Sequence, residues 1–112
     1  MICDFAAPQG LTVVRQHYTG IIRYVSDYPW KNITGPEYQQ ALSLGLTVNL
    51  VCEQGQQPAL RGSAGGQHDS YIANQQADAL GFDGCMYYVA EDPNTLPQSS
   101  WSTVEAYFQA LG

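Results

Sequence analysis

The run Cys85-Met86-Tyr87-Tyr88-Val89-Ala90, cut off by Glu91-Asp92-Pro93, constrains this chain more than any other stretch. It is short, apolar, and rich in aromatic and β-branched residues. A run of that length without alternation predicts a strand buried on both faces, the habit of parallel sheets. Pro93 cannot donate to a ladder, so the strand must stop before it. Glu91 and Asp92 therefore fall at the carboxyl end of a buried strand, where parallel α/β sheets place their ligands.

The rest of the chain repeats that device. Ile2-Cys3-Asp4-Phe5 predicts a first strand ending at an acid, and Pro8-Gln9-Gly10 turns the chain. Residues 11–18 carry Leu11, Val14 and Tyr18 on helical spacing, and Gly20 ends that helix. Ile21-Ile22-Arg23-Tyr24-Val25 predicts the second strand, followed by a loop containing Pro29 and Trp30. Thr34-Gly35-Pro36-Glu37 is a capping box with proline in the first turn. The helix it opens buries Tyr38, Ala41, Leu42 and Leu44 and stops at Gly45. Residues 46–53 predict a third strand that ends at Glu53. Residues 54–66 are polar and Gly-rich and predict a long loop of the kind that is often functional. A helix follows over 67–80 with Gly81 as its stop, then the fourth strand, then a helix over 101–111. Strand and helix alternate four times over one domain spanning residues 1–112, which predicts an α/β fold of parallel (β/α) repeats.

Charge is scarce, at 12% of residues, about half the usual share. Ten acids against four bases leave a net charge of −6, which excludes nucleic acid and anionic membrane as expected partners. No apolar run approaches the ~18 residues of a membrane span, and no signal peptide is read at the N-terminus. The three cysteines, Cys3, Cys52 and Cys85, have no CxxC spacing, so neither a metal site nor a disulfide framework is expected. Cys3 and Cys52 each precede a strand-end acid. Side chains alternate along a strand, so the cysteines face the helix layer if the acids face the interior. His17 and His68 read as surface or capping residues.

In a chain with so few charges, three of four strands end in acids: Asp4, Glu53 and Glu91, with Asp92 next to the last. A parallel sheet gathers strand ends on one rim, so these carboxylates converge. Glycoside hydrolysis uses such a cluster, with one carboxyl group protonating the leaving oxygen and a second carboxylate serving as base or nucleophile. Arg23 and Tyr24 end the second strand beside the acids. Tyr24 and Trp30 offer flat faces on which sugar rings stack. This chemistry needs no cofactor and no metal.

Several segments recur in the order of a known family. They are Ile2-Cys3-Asp4-Phe5, Gly20-Ile21-Ile22-Arg23-Tyr24, Lys31-Asn32-Ile33-Thr34 with Glu37-Tyr38, Leu50-Val51-Cys52-Glu53, Ala77-Asp78-Ala79-Leu80-Gly81, and Tyr87-Tyr88-Val89-Ala90-Glu91-Asp92. The chain resembles the glycoside-hydrolase-like TIM-barrel domains of bacterial and phage proteins, which are distantly similar to lysozyme-type muramidases. The resemblance implies a (β/α)₈ scaffold with an acidic site at the strand carboxyl ends, where Asp4, Glu53 and Glu91 match the family's acidic positions and Arg23 its basic one. Together with the reading of the residues themselves, the expected catalytic acids are Asp4, Glu53, Glu91 and Asp92, and the expected substrate contacts Arg23, Tyr24 and Trp30. Members usually carry Asp where Glu91 stands, and a further acid where this chain has Pro93. A whole barrel takes about 250 residues, so the chain matches only the first half of one.

The expected function is a glycoside hydrolase-like domain acting on bacterial cell-wall glycan, peptidoglycan, on a phage particle or directed at the cell wall. A catalytically inactive glycan-binding or assembly module is the alternative. Four parallel strands cannot close, so a homo-oligomer, the remainder of a longer chain or another partner is expected to complete the barrel.

Overall fold

The computed structural model describes residues 1–5, 9–55, 57–89 and 98–111. Four strands make one sheet: β1 (Ile2–Asp4), β2 (Gly20–Val25), β3 (Thr47–Glu53) and β4 (Met86–Val89). They lie side by side in sequence order, and every neighbouring pair is parallel. Helices α1 (Leu11–His17), α2 (Gly35–Ser43), α3 (Gly62–Leu80) and α4 (Trp101–Leu111) each follow a strand. The chain is an α/β fold of four βα units, as the alternation predicts. Among the described residues, no helix is long and apolar enough to cross a membrane.

Local chemistry places the helix ends. The Thr34 hydroxyl accepts the Glu37 N–H at 3.3 Å and caps α2. The expected return contact from the Glu37 side chain is replaced by a tertiary one: both its oxygens accept from Arg23. Gly45 (φ +76°) and Gly81 (φ +73°) end α2 and α3 in the left-handed region, where a Cβ is costly.

The register sorts the strand side chains into two faces. Cys3, Ile21 and Val48 are aligned across β1–β3, and so are Val25 and Cys52. These residues face the helices. Leu11, Val14, Ile21, Ala41 and Leu46 form one buried cluster; Val25, Ile33, Tyr38, Leu50, Cys52 and Ala73 form the other. Both cysteines that precede strand-end acids lie on this face. Burial pushes the Cys52 thiol up to about 12, so it stays protonated at neutral pH and packs as a small apolar group.

Among the described residues, no helix covers the other face of the sheet. Ile2, Ile22, Asn49, Val51 and Tyr87 line a groove of about 400 Å³. This corrects the expectation that β4 is buried on both sides, because Tyr87 is 56% exposed. The described helices cover only one face, so a strand with apolar residues on both faces shows one of them to solvent.

A second correction concerns residues 54–66. Pro58–Arg61 is a 3-10 turn and Gly62 already begins α3, so the expected loop shrinks to a few residues. The glycines there serve packing. A Cβ on Gly66 would stand 2.3 Å from the Tyr107 carbonyl oxygen and 2.8 Å from Ala110 Cβ, so Gly66 is what lets α4 lie directly on α3. Asp69 of α3, fully buried, accepts hydrogen bonds from the Tyr107 hydroxyl and from Arg61, which ties α4 and the 3-10 turn to α3. Burial and that carboxylate raise the Tyr107 phenol well above its ordinary range.

Candidate functional site

Parity along the strands puts Asp4, Tyr24 and Glu53 on the open face. Asp4 pairs in register with Ile22, two residues before Tyr24, and Tyr24 pairs with Val51, two residues before Glu53. Because the strands are parallel, all three stand at the carboxyl end of the sheet. The Tyr24 hydroxyl donates to Asp4 Oδ1 at 2.6 Å. Burial, then the Asp4 hydrogen bond, raise the Tyr24 phenol to about 12. Tyr24 therefore holds its proton throughout the physiological range and donates it to Asp4.

That shift has a checkable consequence. The unfolded chain releases the Tyr24 proton near pH 10, while the folded chain keeps it until about 12, so unfolding becomes easier as pH rises between those values. Tyr24→Phe loses less stability than the native chain between pH 10 and 12, as read by urea denaturation at each end of that window.

Lys31 links the two acids. It ends the 3-10 turn Pro29–Lys31 that follows β2. Its ammonium lies 3.6 Å from Glu53 Oε1, and 5.5 Å from the ring centroids of both Tyr24 and Tyr28. The side chain is 7% exposed, so this cation is held largely out of water by one carboxylate and two aromatic faces. The order across the rim is Asp4, Tyr24, Lys31, Glu53.

A second pair stands beside this row. Asp27 Oδ2 and His68 Nε2 are 2.6 Å apart, joining the loop after β2 to α3. The Gln54 side-chain oxygen accepts the Asp27 N–H at 2.7 Å. Ser26, Asn32 and Gln76 brace the same loop. Asn32 donates to the Ser26 carbonyl, Gln76 donates to it as well, and the Ser26 hydroxyl binds Asn32.

The structure thus gathers Asp4, Tyr24 and Glu53. It places Trp30 in the same 3-10 turn as Lys31, 68% exposed. It does not place Arg23 with them. Arg23 alternates with Tyr24, points into the helix layer and is fully buried. There it pairs twice with Glu37, at 2.5 and 2.9 Å. It also donates to the carbonyls of Phe5, Lys31 and Asn32. As a substrate contact Arg23 is corrected to a brace that holds the Lys31 loop from behind. The expected acids Glu91 and Asp92 lie outside the described residues.

Lys31, Gln54 and the Asp27–His68 pair are absent from the sequence-based site. The scarcity of bases was the one available signal for Lys31. Nothing local links residue 27 to residue 68. Among the described residues, no three His, Cys, Asp or Glu side chains gather as a metal site.

A family model described as the Rv2525c-like, glycoside hydrolase-like domain matches residues 12–112. No curated protein matches, and no solved structure matches.

Proposed function

Because the chain belongs to the Rv2525c-like, glycoside hydrolase-like domain family, we propose that its acidic rim binds and cleaves bacterial cell-wall glycan by carboxylate chemistry. The observation that carries this reading is the row Asp4–Tyr24–Lys31–Glu53 at the carboxyl end of a parallel sheet, where such folds hold their ligands. Glu53 serves as base or nucleophile, with the Lys31 ammonium beside it. Asp4, steadied by the Tyr24 hydroxyl, orients water or a sugar substituent. Glu91 or Asp92 supplies the proton to the leaving oxygen. Trp30 and Tyr28, exposed on the loop after β2, give sugar rings a flat surface.

The chemistry is tested on purified peptidoglycan by release of reducing ends. Glu53→Gln, and the pair Glu91→Gln with Asp92→Asn, each reduce the rate by roughly a hundredfold or more, the usual worth of a positioned acid or base. Unchanged rates in both variants would overturn the assignment.

The open sheet face favours a second reading. A groove lined by Ile2, Ile22, Val51 and Tyr87 is apolar surface that further βα units would cover, whether from a longer chain or a second copy. On this reading the domain is a glycan-binding or assembly module of a phage particle or a cell-wall-directed protein. Sedimentation of the native protein separates the two. A stable oligomer that pulls down cell wall without cleaving it supports the module.

A further inference from the structure

The sheet face that lines the groove belongs to a flat molecule. Its extents are 47 × 28 × 21 Å, and its radius of gyration of 15.2 Å exceeds the roughly 13 Å of a compact chain of this length. One sheet backed by one helix layer gives that shape. Apolar Ile2, Ile22, Val51 and Tyr87 stand on the uncovered side.

The sheet also ends in two bare edges. Among the described residues, β1 pairs only with β2, and β4 only with β3. Exposed edges are normally blunted by lysine, proline or a bulge. Ile2-Cys3-Asp4 and Met86-Tyr87-Tyr88-Val89 carry neither lysine nor proline. The helices that follow these edge strands, α1 and α4, show apolar side chains as well. Val13 of α1 is exposed, and on α4 Trp101 is 61% and Phe108 47% exposed.

A second copy of the chain answers all three features. Rotating it by 180° about an axis along the strands leaves strand direction unchanged, so its β1 can extend the sheet beyond β4 in parallel. The same rotation sets its β4 beside β1 of the first copy, and the ring closes after eight strands. Eight is the number at which inward side chains just fill a barrel. Two sheets stacked face to face would cover the grooves but leave all four edges bare. The rotation also brings α4 of one copy beside α1 of the other, where Trp101, Phe108 and Val13 lose water. The half-exposed rings of Tyr87, Trp101 and Phe108, taken from both copies, supply roughly 600 Å². That is about half of what a stable interface needs at the least, before the aliphatic side chains and the two new strand pairs are counted.

Charge permits the closure. Of the residues lining the groove only Asn49 is polar. The carboxylates stand at the rim, Asp4 bound by the Tyr24 hydroxyl and Glu53 beside the Lys31 ammonium. The net charge of −6 on each copy opposes association at long range, and salt screens it.

We propose that two copies of this chain close into one eight-stranded (β/α) barrel, with each β4 pairing in parallel with β1 of the other copy. The rim at the carboxyl ends is then composite. Within one copy Asp4 lies three strands from β4, about 14 Å at ~4.8 Å per strand. Across the seam the partner's Asp4 is one strand away. The proposal names the occupant that the assembly reading above leaves unassigned, and it rests on neither the glycan nor its cleavage.

The test is sedimentation equilibrium of the native chain in about 0.15 M salt, with backbone hydrogen exchange on the same samples. The expected mass is twice the 12.3 kDa of one chain. The outward amides of β1 and β4 then exchange as slowly as those between β2 and β3. Tyr87→Lys places a charge on a side chain that is exposed in the single copy, so the chain folds, as circular dichroism reports. It raises the dimer dissociation constant by about a hundredfold or more, because closure would bury that charge. Tyr71→Lys, on α3 and 62% exposed, lies away from the seam and leaves the dimer intact. A native protein with the mass of one chain overturns the proposal. So does a dimer in which the outward amides of β1 and β4 exchange fast, or one that Tyr71→Lys dissociates and Tyr87→Lys does not. Cell-wall pull-down on the same samples reads the glycan proposal separately. A single chain that binds cell wall removes the barrel and leaves that proposal standing, and a dimer that does not bind keeps the barrel without it.

Discussion

Glu37→Ala lowers the unfolding free energy by about 3 kcal/mol, because it strands a fully buried guanidinium. Arg23 is 0% exposed in its side chain and Glu37 9%, so water cannot take over the lost carboxylate. The cost stays at the lower end of the range for broken buried pairs because three backbone carbonyls and the Phe5 ring, 5.0 Å away, still face the charge. Against a typical total of roughly 5–15 kcal/mol this is a large share, and urea midpoints would show it plainly. Replacing both partners, Arg23→Met with Glu37→Leu, costs far less than Glu37→Ala alone, since no charge is left unpaired. If the single and double variants unfold at the same urea concentration, the pair is not what holds the loop. The single variant also weakens the proposed site. Arg23 grips the carbonyls of Lys31 and Asn32, and those residues carry the ammonium to the rim.

Gly66→Ala costs about 3 kcal/mol, at the upper end for overpacking. The new methyl would sit 2.3 Å from a backbone oxygen of α4, a contact no side-chain rotation relieves. Alanine improves helix propensity by at most about 1 kcal/mol, which does not offset a displaced helix. As α4 moves, the Tyr107 hydroxyl leaves the buried Asp69 carboxylate. Urea unfolding reads the loss. Adding Ala110→Gly relieves the 2.8 Å contact but not the one with the carbonyl, so it restores only part of the stability. An unchanged midpoint would mean that α4 does not need this close approach.

The two variants mark where sequence reading stopped. Gly62 to Gly66 looked like a loop because glycine disfavours helix when only local energies are counted. The helix forms there because α4, some forty residues further on, lies close enough that two of its atoms would clash with any larger residue at position 66. Arg23 looked like a rim residue because it stands near a strand end. Its direction was decided by Glu37, a partner that the capping pattern had assigned to Thr34. Tyr87 looked buried because apolar runs usually are, and the missing cover on the open face decided otherwise.

What the chain's order of residues determined by itself was the alternation of strand and helix, the stops at Gly45 and Gly81, and the parity that separates Asp4 and Glu53 from Cys3 and Cys52. Those follow from interactions within a few residues, and a strand turns alternate side chains to opposite faces whatever it packs against. Which face met the helices, where Lys31 and Gln54 came to rest, and the pairing of Asp27 with His68 were decided only in three dimensions. Each depends on contacts between residues distant in the chain, whose positions are set by the packing of every element between them.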